Sequence, residues 1–223
     1  MDIVYLIILA AAGVGFGAFL PELCDKTAAY KLKKSGTNLE PNRFFSSWAT
    51  KLFMGVCNGA AWYLLGLVFV SVSSLIIACV IVYCAFLTGL IDIRVHIIPN
   101  EAVMVFVVLG LLFQVLLFGF KGGLLAAIIS MFVMMAVFLI VGAIMGFDKV
   151  GAGDVKLAGA MGAILGYPNI LYGVVVMAAS MILFAVVGFV IKKVSLRSMV
   201  PFAPFMSLGI ICGCLATLYR IIH

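Results

Sequence analysis

The sequence predicts an all-α, polytopic membrane protein with eight transmembrane helices, and three observations carry that reading. Of its 223 residues, 66% are hydrophobic and only 10% are charged, against roughly 25% charged in an ordinary soluble domain. The charges fall in the breaks between apolar runs or at run ends, and most runs approach the ~20 residues that a helix needs to cross a bilayer. The basic residues also fall on one side when successive runs alternate in direction. A water-soluble globule is excluded. Eight crossings use ~160 residues, so residues 1–223 are expected to form a single integral membrane domain.

The runs lie near 3–20, 53–70, 75–91, 101–118, 124–145, 155–166, 170–191 and 203–221. No basic residue stands in Met1-Asp2-Ile3 before the first run, which is therefore expected to be a retained span and not a cleaved signal. Leu52 to Ile91 carries no charge and is too long for one ordinary helix, so Ser71-Val72-Ser73-Ser74 is the expected turn between two. The run at 155–166 is the shortest. It is expected either to begin within the membrane or to continue with a bend through Gly166-Tyr167-Pro168-Asn169. Small residues at helical spacing, Gly55 with Gly59 and Gly159 with Gly162 and Gly166, mark close helix–helix approach in lipid.

Residues 21–51 form the one long polar stretch and are expected to be a cytoplasmic loop, too short for a core of its own. With that loop inside, alternation places Lys26, Lys31, Lys33, Lys34, Arg43, Lys51, Arg94, Lys149, Lys156, Lys192, Lys193 and Arg197 on the same side, and only Lys121 and Arg220 opposite. Such a division predicts both termini outside. Orientation thus accounts for the net charge of +6, and the expected partner surface is the lipid bilayer, not nucleic acid. The six cysteines, at 24, 57, 79, 84, 212 and 214, form no CxxC pair. They read as small hydrophobes, with no metal site expected.

A lysine at a helix end can extend to water, but a short aspartate side chain cannot reach far. Asp92 directly follows the charge-free 75–91 run, and Asp154 opens another apolar segment in Gly151-Ala152-Gly153-Asp154-Val155-Lys156-Leu157. The alternation puts both at the cytoplasmic ends of spans. Two facing carboxylates can share one proton and hydrolyse a peptide bond by general acid/base catalysis. Gly151 and Gly153 would let backbone or an extended substrate approach Asp154. The plainer reading makes each aspartate a helix-end residue, capping or pairing with Arg94 and Lys156.

Three segments together resemble the type IV prepilin peptidases, the bacterial branch of the GxGD membrane aspartyl proteases, with archaeal preflagellin peptidases as relatives. They are Ile91-Asp92 followed by Ile97-Ile98-Pro99-Asn100, then Gly151-Ala152-Gly153-Asp154-Val155-Lys156-Leu157, then Val200-Pro201-Phe202-Ala203-Pro204-Phe205. Gly13-Val14-Gly15-Phe16-Gly17-Ala18-Phe19-Leu20-Pro21 matches more loosely. The resemblance implies that Asp92 and Asp154 are the catalytic pair. It implies cleavage of the basic leader from type IV prepilin or pseudopilin precursors at the cytoplasmic face of the inner or plasma membrane, with no cofactor for cleavage. Many relatives hold zinc on two CxxC pairs after the first span and also N-methylate the product with S-adenosylmethionine. Here that stretch has Cys24 alone, so zinc is not implied, and S-adenosylmethionine is implied only if a methyltransferase activity is retained.

Other residues weigh less. Glu22, Asp25 and Lys26 are a remnant of a methylation site or, more simply, solvated loop charges. His96 is near enough to Asp92 to tune it or is merely interfacial. Asp148 is a rival second carboxylate without flanking glycines, and Glu101 suits the first turn of a helix. Lys156 is placed either to lower the Asp154 pKa or to bind lipid phosphate. The alternative functions are a transporter or channel with carboxylates along its path, disfavoured by their position at helix ends, and a non-catalytic component of pilus or secretion assembly.

Overall fold

A computed structural model describes residues 3–34, 45, 47–69, 71–146, 150–191 and 201–222. Among them are eight helices of fourteen residues or more and no strand: α1 (Ile3–Lys34), α2 (Trp48–Val68), α3 (Val72–Val95), α4 (Asn100–Phe118), α5 (Phe120–Met145), α6 (Ala152–Leu165), α7 (Asn169–Val190) and α8 (Ala203–Ile222). Six of them, α1 to α5 and α7, are long and apolar enough to cross a membrane. Their outward faces carry residues such as Ile7, Phe16, Val108, Phe132, Val175 and Leu183 in exposed positions. A helix satisfies its own backbone, so these faces suit lipid. The protein is an all-α, multi-pass membrane protein.

The elements follow the apolar runs with two corrections. Residues 21–34 are not loop. Helix α1 continues through Pro21 to Lys34, because Leu20, Cys24 and Ala28 recur every four residues on one face and are fully buried. Packing of that face outweighs the lost backbone donor at Pro21. The break after α2 falls at Phe69 to Ser71, so Ser73 and Ser74 lie inside α3. The short run resolves as a helix that stops, not one that bends onward: α6 ends at Gly166, whose φ of +59° suits glycine, and α7 starts afresh at Asn169. At 1.5 Å per residue α6 is ~21 Å long, less than the ~30 Å hydrocarbon core.

Helix α6 is the centre of the bundle. Every residue from Leu157 to Gly166 is buried, with α5 and α4 against it most extensively and α8 and α7 beside them. Helix α1 packs on α2, and both reach α3, which joins α8. The expected small-residue contacts are present. A Cβ at Gly17 would stand 2.6 Å from the Met54 carbonyl, and one at Gly59 would stand 2.9 Å from that of Ala10. At Gly162 a Cβ would overlap the Ser130 carbonyl of α5. Asn58 donates to the Gly13 carbonyl at 2.8 Å and ties α1 to α2 at depth.

Contacts between helix ends establish which ends share a side. The C-terminal part of α1 meets the end of α3 and the starts of α2 and α4 through Arg94–Asp25, Lys51–Glu22 and Lys31–Glu101. The end of α3 meets the start of α8 through Ala203–Asp92, and the starts of α4 and α6 meet through Lys156–Asn100. This is the end that the charge distribution assigns to most basic residues. Arg43, Lys149, Lys192, Lys193 and Arg197 lie outside the described residues, as do the side chains of Lys34 and Arg220.

Gly162→Ala is expected to destabilise the bundle by about 1–3 kcal/mol through overpacking against α5. Gly15→Ala, where nothing lies within 4 Å, is expected to leave the melting temperature unchanged or higher. Thermal unfolding in one detergent compares the two, and an equal effect at both positions would contradict the packing described.

Candidate active site

Helix α3 ends in Asp92-Ile93-Arg94-Val95, and His96 caps it with a left-handed backbone, φ 51°, and an N–H bonded to the Asp92 carbonyl at 2.8 Å. That conformation is uncommon outside glycine but is visited by histidine. It reverses the chain so that Ile97 to Asn100 lead back across the end of the bundle. His96 itself is exposed. Asp92 is only 4% exposed, and its Oδ2 accepts the N–H of Ala203 at 3.1 Å. Ala203 opens α8, where the first-turn N–H groups have no partner within their own helix. A carboxylate at a helix N-terminus is also favoured by the dipole, and a charge-assisted bond of this kind contributes about 1.5–3 kcal/mol.

Asp154 stands in the first turn of α6, outside the six crossing helices, and is partly buried. Its Oδ2 accepts the Gly151 N–H at 2.9 Å, so the capping role is real and holds the side chain back over the helix start. Burial pushes its carboxyl up to about 6, the Gly151 N–H works against this, and the negative charge of Asp92 adds to it. The two aspartates, from helices far apart in sequence, are therefore within electrostatic reach of each other. Pairing with Arg94 or Lys156 is not what holds them. Arg94 turns to Asp25, Nε to Oδ1 at 3.2 Å, and Lys156 donates to Asn100 Oδ1 at 3.1 Å.

The glycines differ in their roles. A Cβ at Gly153 would lie 3.2 Å from the Ile98 Cβ, so the missing side chain seats the segment after α3 against the start of α6. Gly151 has ordinary room, with Asp154 Oδ2 as its nearest contact at 3.5 Å. It contributes its N–H and adds no side chain beside the carboxylate. Pro99 is buried and caps α4, its carbonyl accepting the N–H groups of Ala102 and Val103. Asp92, Pro99, Asn100, Gly151, Gly153, Asp154 and Lys156 thus lie at one end of the bundle. Asp148 lies outside the described residues.

Two features were not legible in the residues. The N–H of Ala203 holds Asp92 across a separation of 111 residues, and only the Val200-Pro201-Phe202-Ala203 motif hinted that this segment mattered. An apolar cleft of about 190 Å³ opens between α2, α3 and α8, with Met54, Ala85, Gly89, Pro204, Leu208 and Ile93, the residue after Asp92, in its walls. Glu22, Asp25 and Lys26 prove to be helix residues: Glu22 pairs with Lys26 at 2.9 Å and Asp25 with Arg94. Glu101 is in the first turn of α4 and takes Lys31.

The described residues do not fit zinc. Cys24 is buried among Leu20, Phe45, Leu90 and Ile91, all six cysteines are free, and no three His, Cys, Asp or Glu among the described residues gather around a common point.

A multi-pass membrane protein with two carboxylates brought together at one end of its bundle is the class that fold and site define. Residues 79–219 match the type IV leader peptidase family. The matched segment includes both aspartates and most of the bundle, and the chain belongs to that family, whose members are proteases. Neither the curated proteins nor the solved structures include a match to this chain.

Since the Asp92 charge raises the Asp154 carboxyl, Asp92→Asn is expected to lower the pH at which Asp154 loses its proton from the wild-type value of about 6. Infrared titration of the carboxyl band measures this. An unchanged midpoint would put Asp92 out of reach of Asp154.

Proposed function

We propose that the chain is a membrane aspartyl endopeptidase that removes the basic leader from type IV prepilin or pseudopilin precursors at the cytoplasmic membrane face, with Asp92 and Asp154 as the catalytic pair. The observation that carries this reading is the seating of the segment after Asp92 on the start of α6, Ile98 against Gly153 and Asn100 with Lys156, in a chain of the leader peptidase family. Neighbouring carboxylates hold one proton between them, and the pair titrates as a unit. The ionised member takes a proton from water as the water oxygen attacks the scissile carbonyl carbon. The protonated member gives its proton to the departing nitrogen as the carbon–nitrogen bond breaks. No metal enters this scheme.

The surroundings support it. A peptide bond must leave its helix before water can attack, and Gly151, with no side chain beside the Asp154 carboxylate, favours the approach of extended backbone. The apolar cleft lined by Ile93 and Pro204, the chain neighbours of Asp92 and Ala203, offers the apolar stem of such a substrate a resting place. In this orientation the shared end of α1 to α4, α6 and α8 faces the cytoplasm, both termini face out, and the leader remains inside.

Purified full-length protein in lipid nanodiscs, mixed with a type IV prepilin precursor, is expected to produce a leader-sized mass loss. Asp92→Ala and Asp154→Ala are each expected to slow it by about 100- to 10,000-fold, the usual contribution of general acid/base groups. Full cleavage by either variant would contradict the assignment. With S-adenosylmethionine added, the same spectra are expected to show no gain of a methyl group, since Cys24 stands alone in residues 21–51.

A further inference from the structure

At 1.5 Å per residue the 32 residues of α1 extend ~48 Å, against the ~30 Å hydrocarbon core. The excess lies at the polar end, Pro21 to Lys34, and three sets of contacts bind it to the chain around Asp92. Leu20 and Cys24 pack in one apolar cluster with Leu90 and Ile91, the two residues before Asp92. Asp25 takes Arg94, two residues after Asp92, at 3.2 Å, and the Arg94 guanidinium also lies 5.5 Å over the Phe45 ring. Lys31 donates to both carboxylate oxygens of Glu101, to Oε1 at 2.7 Å. An exposed ion pair contributes little, and the two pairs differ in shielding: the Arg94 and Asp25 side chains are 11% and 31% exposed, those of Lys31 and Glu101 19% and 70%. Breaking the more shielded Asp25–Arg94 pair is costly, and Lys31 adds a second, looser tether through both Glu101 oxygens.

Arg94 and Glu101 bracket the segment that reaches α6: Ile98 sits on Gly153 and Asn100 accepts from Lys156. We propose that the projecting end of α1 is a positioning strap, in which Asp25 and Lys31 hold the two ends of the Arg94–Glu101 segment and so fix Asp92 relative to Asp154. This inference rests on Asp92 and Asp154 being the reacting pair. Neither Asp25 nor Lys31 touches the reacting atoms. The strap acts by keeping the segment from drifting away from α6, and misplacement by about 1 Å can cost 100-fold in rate.

The test uses full-length protein in nanodiscs carrying Asp25→Asn or Lys31→Met, which keep side-chain size, with exposed Lys33→Ala as the control. Hydrogen–deuterium exchange across residues 93–103 is expected to quicken about 10-fold in each strap variant, as local opening becomes easier, and to stay unchanged in the control. On a prepilin precursor, kcat is expected to fall about 10-fold with KM within about twofold, the pattern of lost positioning in the transition state. Exchanging the charges, Asp25→Arg with Arg94→Asp and separately Lys31→Glu with Glu101→Lys, is expected to restore both protection and kcat. Unchanged exchange in folded strap variants, or a loss that neither charge exchange restores, would overturn the strap. If the wild type leaves the precursor intact, the substrate reading fails, and exchange alone decides the strap.

Discussion

A helix buried from Leu157 through Gly166 meets neighbours on every side, and that requirement arranges the rest of the bundle. Helix α6 meets it with small residues. Gly162 admits the α5 backbone at Ser130, and the missing side chain of Gly110 on α4 admits α6 itself at Ala163 and Ile164. In lipid there is little hydrophobic gain in bringing helices together, so close van der Waals approach supplies much of the attraction. A centrally held α6 places its own N-terminus, and with it Asp154, where the ends of α3, α4 and α8 converge.

The two carboxylates meet helix N-termini in different ways. Asp92 ends one helix and accepts the N–H that opens another, α8. Asp154 accepts the N–H that precedes its own helix. Each arrangement offers a backbone donor to the carboxylate, and the charge of Asp92 makes ionisation of Asp154 harder. Opposed effects of this kind suit a pair that shares a proton. The same geometry explains why a capping role and a chemical role for Asp154 are compatible: the cap engages Oδ2 and sets the direction in which the carboxyl faces.

What the residues made legible follows the range over which each signal acts. Long charge-free runs show spans because the bilayer sets one length for all of them, and the aspartates stood out because short acids at span ends are few. The continuation of α1 was hidden because Pro21 and the charges after it are typical of loops, while what favours helix there, the packing of Leu20 and Cys24 on Leu90 and Ile91, depends on α3. Arg94 looked like a natural partner for Asp92, yet it pairs with Asp25, 69 residues away. No local pattern encodes a pairing at that distance. Gly153 was read as room for substrate, and the structure uses that room for Ile98.

The site depends on the contact that brings the segment after Asp92 onto Gly153, the residue before Asp154. Its most direct measurement is a cross-link between Ile98→Cys and Gly153→Cys, mapped by mass spectrometry after mild oxidation of the folded protein. The Cβ separation of 3.2 Å needs only a slight opening to reach the ~3.5–4.5 Å of a disulfide. Ready formation of the 98–153 cross-link is the result predicted. Two thiols that stay free, in a protein that remains folded, would contradict it.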